Sequence, residues 1–107
     1  MKKAKVPPAL GQFIIDRSGG SCEICGSTNG CQIHHIIRRI VESDADNLIM
    51  LCWEHHHGTN GVHGMNGHKL DLKLKIELQE KYFAQGNSES EVRKLMGGKL
   101  YFEEFEF

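Results

Sequence analysis

The side chains best suited to chemistry are thiols and imidazoles, and they are concentrated between Cys22 and His63. Two short motifs stand out there, Cys22-Glu-Ile-Cys25 and Cys52-Trp-Glu-His55-His56-His57, with the pair His34-His35 between them. Two Cys-x2-(Cys/His) motifs about thirty residues apart could together hold one tetrahedral zinc ion. Several histidines remain that this ion does not need. The stretch therefore carries enough ligands for a second metal site.

The predicted zinc ligands are three thiolates and one imidazole, namely Cys22, Cys25, Cys52 and His55. The pattern leaves open whether His55 or His56 faces the zinc. Cys31 could replace His55 as a ligand, or it could be a small buried hydrophobic residue. Ordinary buried cysteines and disulfides are the alternatives for the whole set. The paired spacing and an expected reducing compartment favour metal binding over both.

The remaining histidines, together with Asn47, form the set that a metal-assisted phosphodiesterase requires. One imidazole must take a proton from water near neutral pH, which suits a group whose ordinary pKa is about 6.5. Others must hold a divalent cation that stabilises the reacting phosphate and the leaving oxygen. An amide side chain or a backbone carbonyl can fix the tautomer of the base. The candidates for these tasks are His34, His35, Asn47 and His56.

The elements that must hold these residues can be predicted from pattern. Residues 32 to 40 are rich in β-branched side chains and predict a strand, on which His34 and His35 would lie on opposite faces. Residues 47 to 51 predict a return strand, so we expect a β-hairpin followed by a helical turn. Helices are predicted over residues 9 to 17, 70 to 85 and 88 to 96, the last opening with a capping box. The glycine-rich interval from Gly58 to Gly67 cannot be a continuous helix.

Length and charge limit the number of domains and the kinds of partner that the sequence can indicate. A chain of 107 residues with 39% hydrophobic residues is expected to form one domain, with its core at about residues 20–68 and a helical extension over 69–107. The formal charge of −1 does not indicate a strongly basic nucleic-acid-binding protein. Cations nevertheless gather locally, at Lys2, Lys3, Lys5, Arg38, Arg39, Lys69, Lys73 and Lys75. No apolar run approaches the roughly 18–20 residues that span a bilayer, so we expect a cytoplasmic protein.

The order Cys-x2-Cys, His-His-Ile-Ile, Asn-Leu, Leu-Cys-x2-His-His resembles that of the HNH endonucleases, and the continuation to His63 is similar to small phage-type HNH proteins. The resemblance covers about residues 22 to 63, under half of the chain. It implies an α+β fold with a small zinc-stapled ββα-metal core, treble-clef-like, with flanking helices. It also implies that His34 binds the catalytic metal, His35 is the general base, Asn47 orients that base and His56 is the last metal ligand.

The sequence departs from this pattern after His56, because glycines interrupt the helix that would carry a further ligand. His63 could supply that ligand from the loop, or it could be a loop histidine that meets only water or phosphate. His57 and His68 are expected to be solvated. Arg38 and Arg39 could clamp DNA phosphates or form a solvated strand end. Lys69, Lys73 and Lys75 are expected to form a solvated helix face, with DNA contact as the alternative.

The function that the resemblance implies is a metal-dependent DNA endonuclease that nicks phosphodiester bonds. Its cofactors would be a structural Zn2+ and a catalytic divalent cation such as Mg2+, Mn2+ or Ni2+. DNA is the expected partner, and cutting both strands would need a homodimer or a partner protein, with phage packaging or recombination proteins as candidates. A bacterial cell, with the gene carried by a phage, is the expected setting. The alternative is a non-catalytic zinc-binding module that contacts nucleic acid or protein.

Overall fold

The computed structural model describes residues 6–38 and 44–103. Four helices and a two-stranded antiparallel sheet make up the regular structure of these residues, which confirms the predicted α+β class. In chain order, with a 3-10 turn at Ala45–Asn47, the elements are α1 Pro8–Ser18, β1 Gln32–His35, β2 Leu48–Leu51, α2 Trp53–His57, α3 His68–Ala84 and α4 Glu89–Leu95. In the described part of the chain, none of the helices combines the length and the apolar character needed to cross a bilayer.

The hairpin is shorter than the sequence predicts. Strands β1 and β2 pair from Gln32 opposite Leu51 to His35 opposite Leu48. Beyond His35 the side chain of Asn47 takes over the pairing, since its Oδ1 accepts a hydrogen bond from Ile37 N at 2.7 Å and its Nδ2 donates one to Ile37 O at 2.9 Å. A buried amide thus satisfies backbone groups that a longer strand would have paired. Residues 39 and 40 of the predicted strand lie outside the described residues.

Helix α1 is fastened to the hairpin through Arg17. Its guanidinium donates to the carbonyl oxygen of Leu48 at 2.7 Å and forms an ion pair with Glu23 at 2.8 Å. Glu23 in turn accepts a hydrogen bond from the backbone N–H of Met50 at 3.0 Å. The two side chains are 30% and 23% exposed, so the pair is partly shielded from solvent and is screened less than a fully open surface pair. The first helix, the first cysteine motif and β2 are therefore held as one unit.

The extension packs on the core through one face of α3, as predicted for Leu74, Leu78 and Tyr82, all of which are buried. The hydroxyl of Tyr82 donates to the carboxylate of Asp44 at 3.1 Å. The same carboxylate caps the 3-10 turn by accepting from Asn47 N at 3.0 Å. Burial, followed by the charge of Asp44, raises the pKa of Tyr82, so the hydroxyl stays a donor. Helix α3 thereby holds the turn that presents Asn47.

The capping box of α4 is confirmed. The side chain of Ser88 accepts from Glu91 N at 3.3 Å, and Glu91 Oε1 accepts from Ser88 N at 3.4 Å. Together these bonds satisfy two backbone donors at the start of the helix. Val92 in the middle of α4 and Met96 directly after the helix are buried in the same core cluster as Leu78.

The glycine-rich interval folds back against α2. Val62 N donates to His55 O, and His63 N donates to His56 O, each at 2.9 Å. A Cβ atom on Gly64 would collide with the carbonyl oxygen of Gly58, so this close backbone packing requires glycine at that position. The fold of the interval is what places His63 beside His56.

Candidate metal centres

Four side chains form a compact group at the start of α2. The ligand atoms of Cys22, Cys25, Cys52 and His55 all lie within 4.8 Å of one another. Cys25 Sγ is 3.8 Å from Cys52 Sγ, and His55 Nδ1 is 3.3 Å from Cys52 Sγ and 3.7 Å from Cys22 Sγ. A tetrahedral zinc with bonds of about 2.3 Å to sulfur and about 2.0 Å to nitrogen separates such ligands by roughly 3.5–3.8 Å. The group could hold a zinc ion with little rearrangement.

The backbone around Cys22 favours its thiolate form. Cys22 N donates to Ser27 O and Gly26 N donates to Cys22 O, each at 2.8 Å, with Gly26 at a φ of +79° that glycine adopts without strain. Burial raises the pKa of Cys22, but hydrogen bonds from backbone amides, first that of Cys52, outweigh it and lower the pKa to about 6. Thiolates packed this closely repel one another, and a divalent cation among them would remove that cost.

The structure answers the two questions that the sequence left open at this centre. His55, rather than His56, lies with the cysteines. Cys31 is not in the group, and its thiol donates to Ser27 O at 3.1 Å. All four cysteines are free thiols, and the 3.8 Å between Cys25 and Cys52 is far above the about 2.05 Å of a disulfide.

A second group consists of imidazoles alone. His34 on β1, His56 on α2 and His63 in the glycine-rich loop bring one ring nitrogen each to within 4.8 Å of the others. Their ring centres are 5.3 Å apart for His34 and His56, 5.1 Å for His34 and His63, and 4.7 Å for His56 and His63. Neutral imidazole is a good ligand for borderline divalent ions such as Zn2+, Ni2+ and Cu2+. The three histidines that the sequence assigns to a catalytic ion are thus in position to share one.

The strongest indication of a bound ion at this second group is a buried nitrogen of His34. The residue is 4% exposed, and its Nε2 is buried without a hydrogen-bond partner among the described residues. Burial, followed by the neighbouring His56 and His63, lowers the pKa of His34 to about 3, so the ring is neutral at pH 7 and keeps its lone pair. An unpartnered buried polar atom is costly. A metal ion bound among the three rings would remove that cost, and the donor set fits such an ion.

Gln32 is a site residue that the sequence interpretation missed. Its side-chain oxygen Oε1 lies 3.0 Å from His56 Nδ1 and 3.3 Å from His57 Nε2. Because an amide oxygen only accepts, His56 Nδ1 is the donor in this contact, and Nε2 is the nitrogen that could bind a metal ion. Strand alternation could have identified Gln32, because residues 32 and 34 lie on the same face of β1 and Gln32 is therefore close to His34. His57 is exposed as predicted, but its ring centre is only 4.1 Å from that of His56.

Replacing Gln32 by alanine is expected to weaken metal binding at the three-histidine site by about 10–100-fold, since the substitution frees His56 to change tautomer and orientation. Titration with Co2+ or Ni2+, followed by absorption spectroscopy, measures this affinity. The matched control is Gln12→Ala, because Gln12 is exposed on α1 and its amide donates to Asp16 in the same helix. Equal affinities in the two variants would show that Gln32 does not orient His56.

A cleft of about 250 Å3 opens over the second group, and we call it the histidine cleft. It is lined by Gln32, Ile33, His34, His35, Arg38, His56, His57 and His63. His35 is half-buried and Arg38 is exposed. The histidine cleft thus brings together a potential base, a potential metal site and a guanidinium that can hold an anion.

Two further residues singled out in the sequence, Asn47 and His68, do not line the histidine cleft. The side chain of Asn47 binds the backbone of Ile37, so any influence on His35 passes through the turn that follows β1. Arg39, predicted with Arg38 to contact phosphate, lies outside the described residues. His68 is the first residue of α3 and is exposed, as expected.

No protein-family model, curated protein or solved structure matched the chain.

Proposed function

We propose that the protein is a metal-dependent DNA endonuclease of the HNH type that nicks phosphodiester bonds, with His35 as the general base. The observation that carries the proposal is the histidine cleft, where His35 lies beside three imidazoles whose ring nitrogens are within 4.8 Å of one another. The order β1, β2, α2 along the chain agrees with a ββα-metal core. The motif order from Cys22 to His63 supports the same assignment.

In the proposed reaction His35 accepts a proton from a water molecule as the water oxygen bonds to phosphorus. The bond between phosphorus and the leaving sugar oxygen breaks, and that oxygen ends as a hydroxyl after gaining a proton from solvent. A divalent ion held by His34, His56 and His63 would supply positive charge to the phosphoryl and leaving oxygens. Arg38, at the exposed edge of the cleft, would hold a phosphate oxygen through its guanidinium.

The Cys3His group has a positioning task in this proposal. Helix α2 begins directly after Cys52 and is only five residues long, which is too short to be stable by itself. His55 and His56 are neighbours on α2 and belong to the two different groups. A zinc ion that holds Cys52 and His55 would therefore also fix the direction in which His56 points.

A non-catalytic zinc-binding module is the second candidate. The Cys3His group alone would serve such a module, and the sequence charge of −1 is compatible with it. This function leaves the unpartnered nitrogen of buried His34 without a purpose, whereas the endonuclease gives it one. We therefore favour the endonuclease.

The test is a plasmid-nicking assay with the zinc-loaded protein and added Mg2+, Mn2+ or Ni2+. Supercoiled plasmid is expected to convert to the nicked circle with at least one of these ions, and a chelator is expected to stop the conversion. If the folded protein fails to nick plasmid with every one of the three ions, this result would contradict the proposal and favour the binding module.

A further inference from the structure

A second cleft lies where the C-terminal extension meets the core, and we call it the extension cleft. Its volume is about 270 Å3, and it is lined by Ile37, Arg38, Lys75, Met96, Gly97 and Tyr101. Arg38 also lines the histidine cleft, so the two clefts are neighbours that share one guanidinium. The lining includes two cations and no carboxylate.

The cations of this region are held in place. Lys75 Nζ lies 5.2 Å from the centre of the Tyr101 ring, and Lys99 Nζ lies 4.9 Å from it, both within the range of cation–π attraction. Lys75 is also paired with Asp71 at 2.8 Å, and its side chain is only 20% exposed. The cations in the lining of the extension cleft, Arg38 and Lys75, stand against the carboxylate of Asp71, which pairs with Lys75. An anion that enters the extension cleft would meet net positive charge.

The backbone of Tyr101 is held by two hydrogen bonds to one side chain. Gln79, which is 8% exposed, donates from Nε2 to Tyr101 O and accepts from Tyr101 N, each at 2.8 Å. One side chain on α3 thus satisfies both backbone groups of Tyr101, in the manner of a paired strand. The segment that carries Lys99 and Tyr101 is therefore fixed against α3, and little ordering of this segment is needed when a ligand binds.

We propose that the extension cleft binds a backbone phosphate of the DNA strand whose scissile phosphate enters the histidine cleft, with Lys75 as the phosphate contact beside Arg38. The inference rests on the proposed function, because the shared Arg38 connects the two clefts along one path. Compact ammonium groups suit phosphate, and the apolar walls formed by Ile37 and Met96 suit the sugar beside it. The helical extension, which the resemblance to HNH endonucleases does not cover, thereby becomes part of the substrate site.

The experiment measures how salt weakens the binding of a short fluorescein-labelled DNA duplex to the zinc-loaded protein. Each lost phosphate contact is expected to reduce the slope of log affinity against log salt concentration by about 0.9. Lys75→Gln is expected to show this reduction, and Lys75→Arg is expected to keep the wild-type slope. The matched control is Lys94→Gln, which removes the same charge from the exposed surface of α4 and should leave the slope unchanged.

The outcomes separate this inference from the proposed function. A wild-type slope in Lys75→Gln would overturn the inference, whatever the nicking assay shows. Reduced slopes in a protein that never nicks plasmid would support the cleft while overturning the endonuclease. A wild-type protein without measurable duplex binding would overturn both. If Lys75→Gln abolished binding of a poly-glutamate peptide but not of the duplex, the cleft would belong to a protein partner, which also overturns the inference.

Discussion

Replacing Cys52 by serine is expected to unfold most of the protein, and a strong chelator should have the same effect on the wild type. Structural zinc contributes on the order of 10–16 kcal/mol of apparent folding free energy in small modules. The net stability of a typical domain is only about 5–15 kcal/mol. Cys52 is 2% exposed and directly precedes α2, so its loss removes both a thiolate and the anchor of that helix. Circular dichroism during heating measures the effect.

The matched control is Cys31→Ser. Cys31 is half-buried and lies outside the Cys3His group, and a serine hydroxyl could still donate to Ser27 O. This variant is expected to keep its zinc and a thermal transition close to that of the wild type. A Cys52→Ser protein that melts at the wild-type temperature would contradict the assignment of the zinc site.

Replacing His35 by alanine is expected to reduce plasmid nicking by about 10²–10⁴-fold, the usual contribution of a general base. The fold should survive, since His35 is only half-buried and its pairing with Leu48 in the hairpin belongs to the backbone. Binding of the second metal ion should also survive, because His35 is not one of the three clustered histidines. Nicking rates measured at saturating metal therefore isolate the proton transfer.

His68→Ala is the matched control for His35→Ala. It removes the same side chain from the exposed start of α3, and nicking is expected to stay at the wild-type rate. If His35→Ala nicked as fast as His68→Ala, another group would have to take the proton from water.

Much of the architecture followed from local pattern. The α+β class, the hairpin ahead of a short helix and the helices of the extension depend on β-branched runs, helix-forming residues and a capping box, all of which act over a few residues. The three cysteines of the Cys3His group were predicted from paired spacing, because each Cys-x2-(Cys/His) motif brings its own two ligands close together. The four residues proposed for it do lie together.

The remaining details depend on contacts between distant residues. Strand β1 ends early because Asn47, ten residues after Ile37, binds the backbone there. His55 and His56 point to different groups because neighbouring residues on a helix differ in direction by about 100°. Spacing alone cannot say which of them faces the cysteines. The position of His63 follows from backbone hydrogen bonds between the glycine-rich loop and α2. Residue type does not indicate such bonds.

The side-chain contacts within the C-terminal extension were the least predictable from the sequence. Lys75 was expected on a solvated helix face, yet it pairs with Asp71 and lies over the ring of Tyr101. Tyr101 lies in the segment after α4, and its backbone is held by the side chain of Gln79 on α3. A glutamine on a helix has no sequence feature that marks it as a backbone partner.

The most direct measurement is a titration of the protein that carries one zinc ion per chain with Mn2+ or Ni2+, in which bound metal and plasmid nicking are followed in the same samples. Nicking should be absent at the start, rise in step with the second ion and level off when one further ion per chain is bound. Full nicking before the second ion binds, or none after it has bound, would contradict an endonuclease built on the three-histidine site.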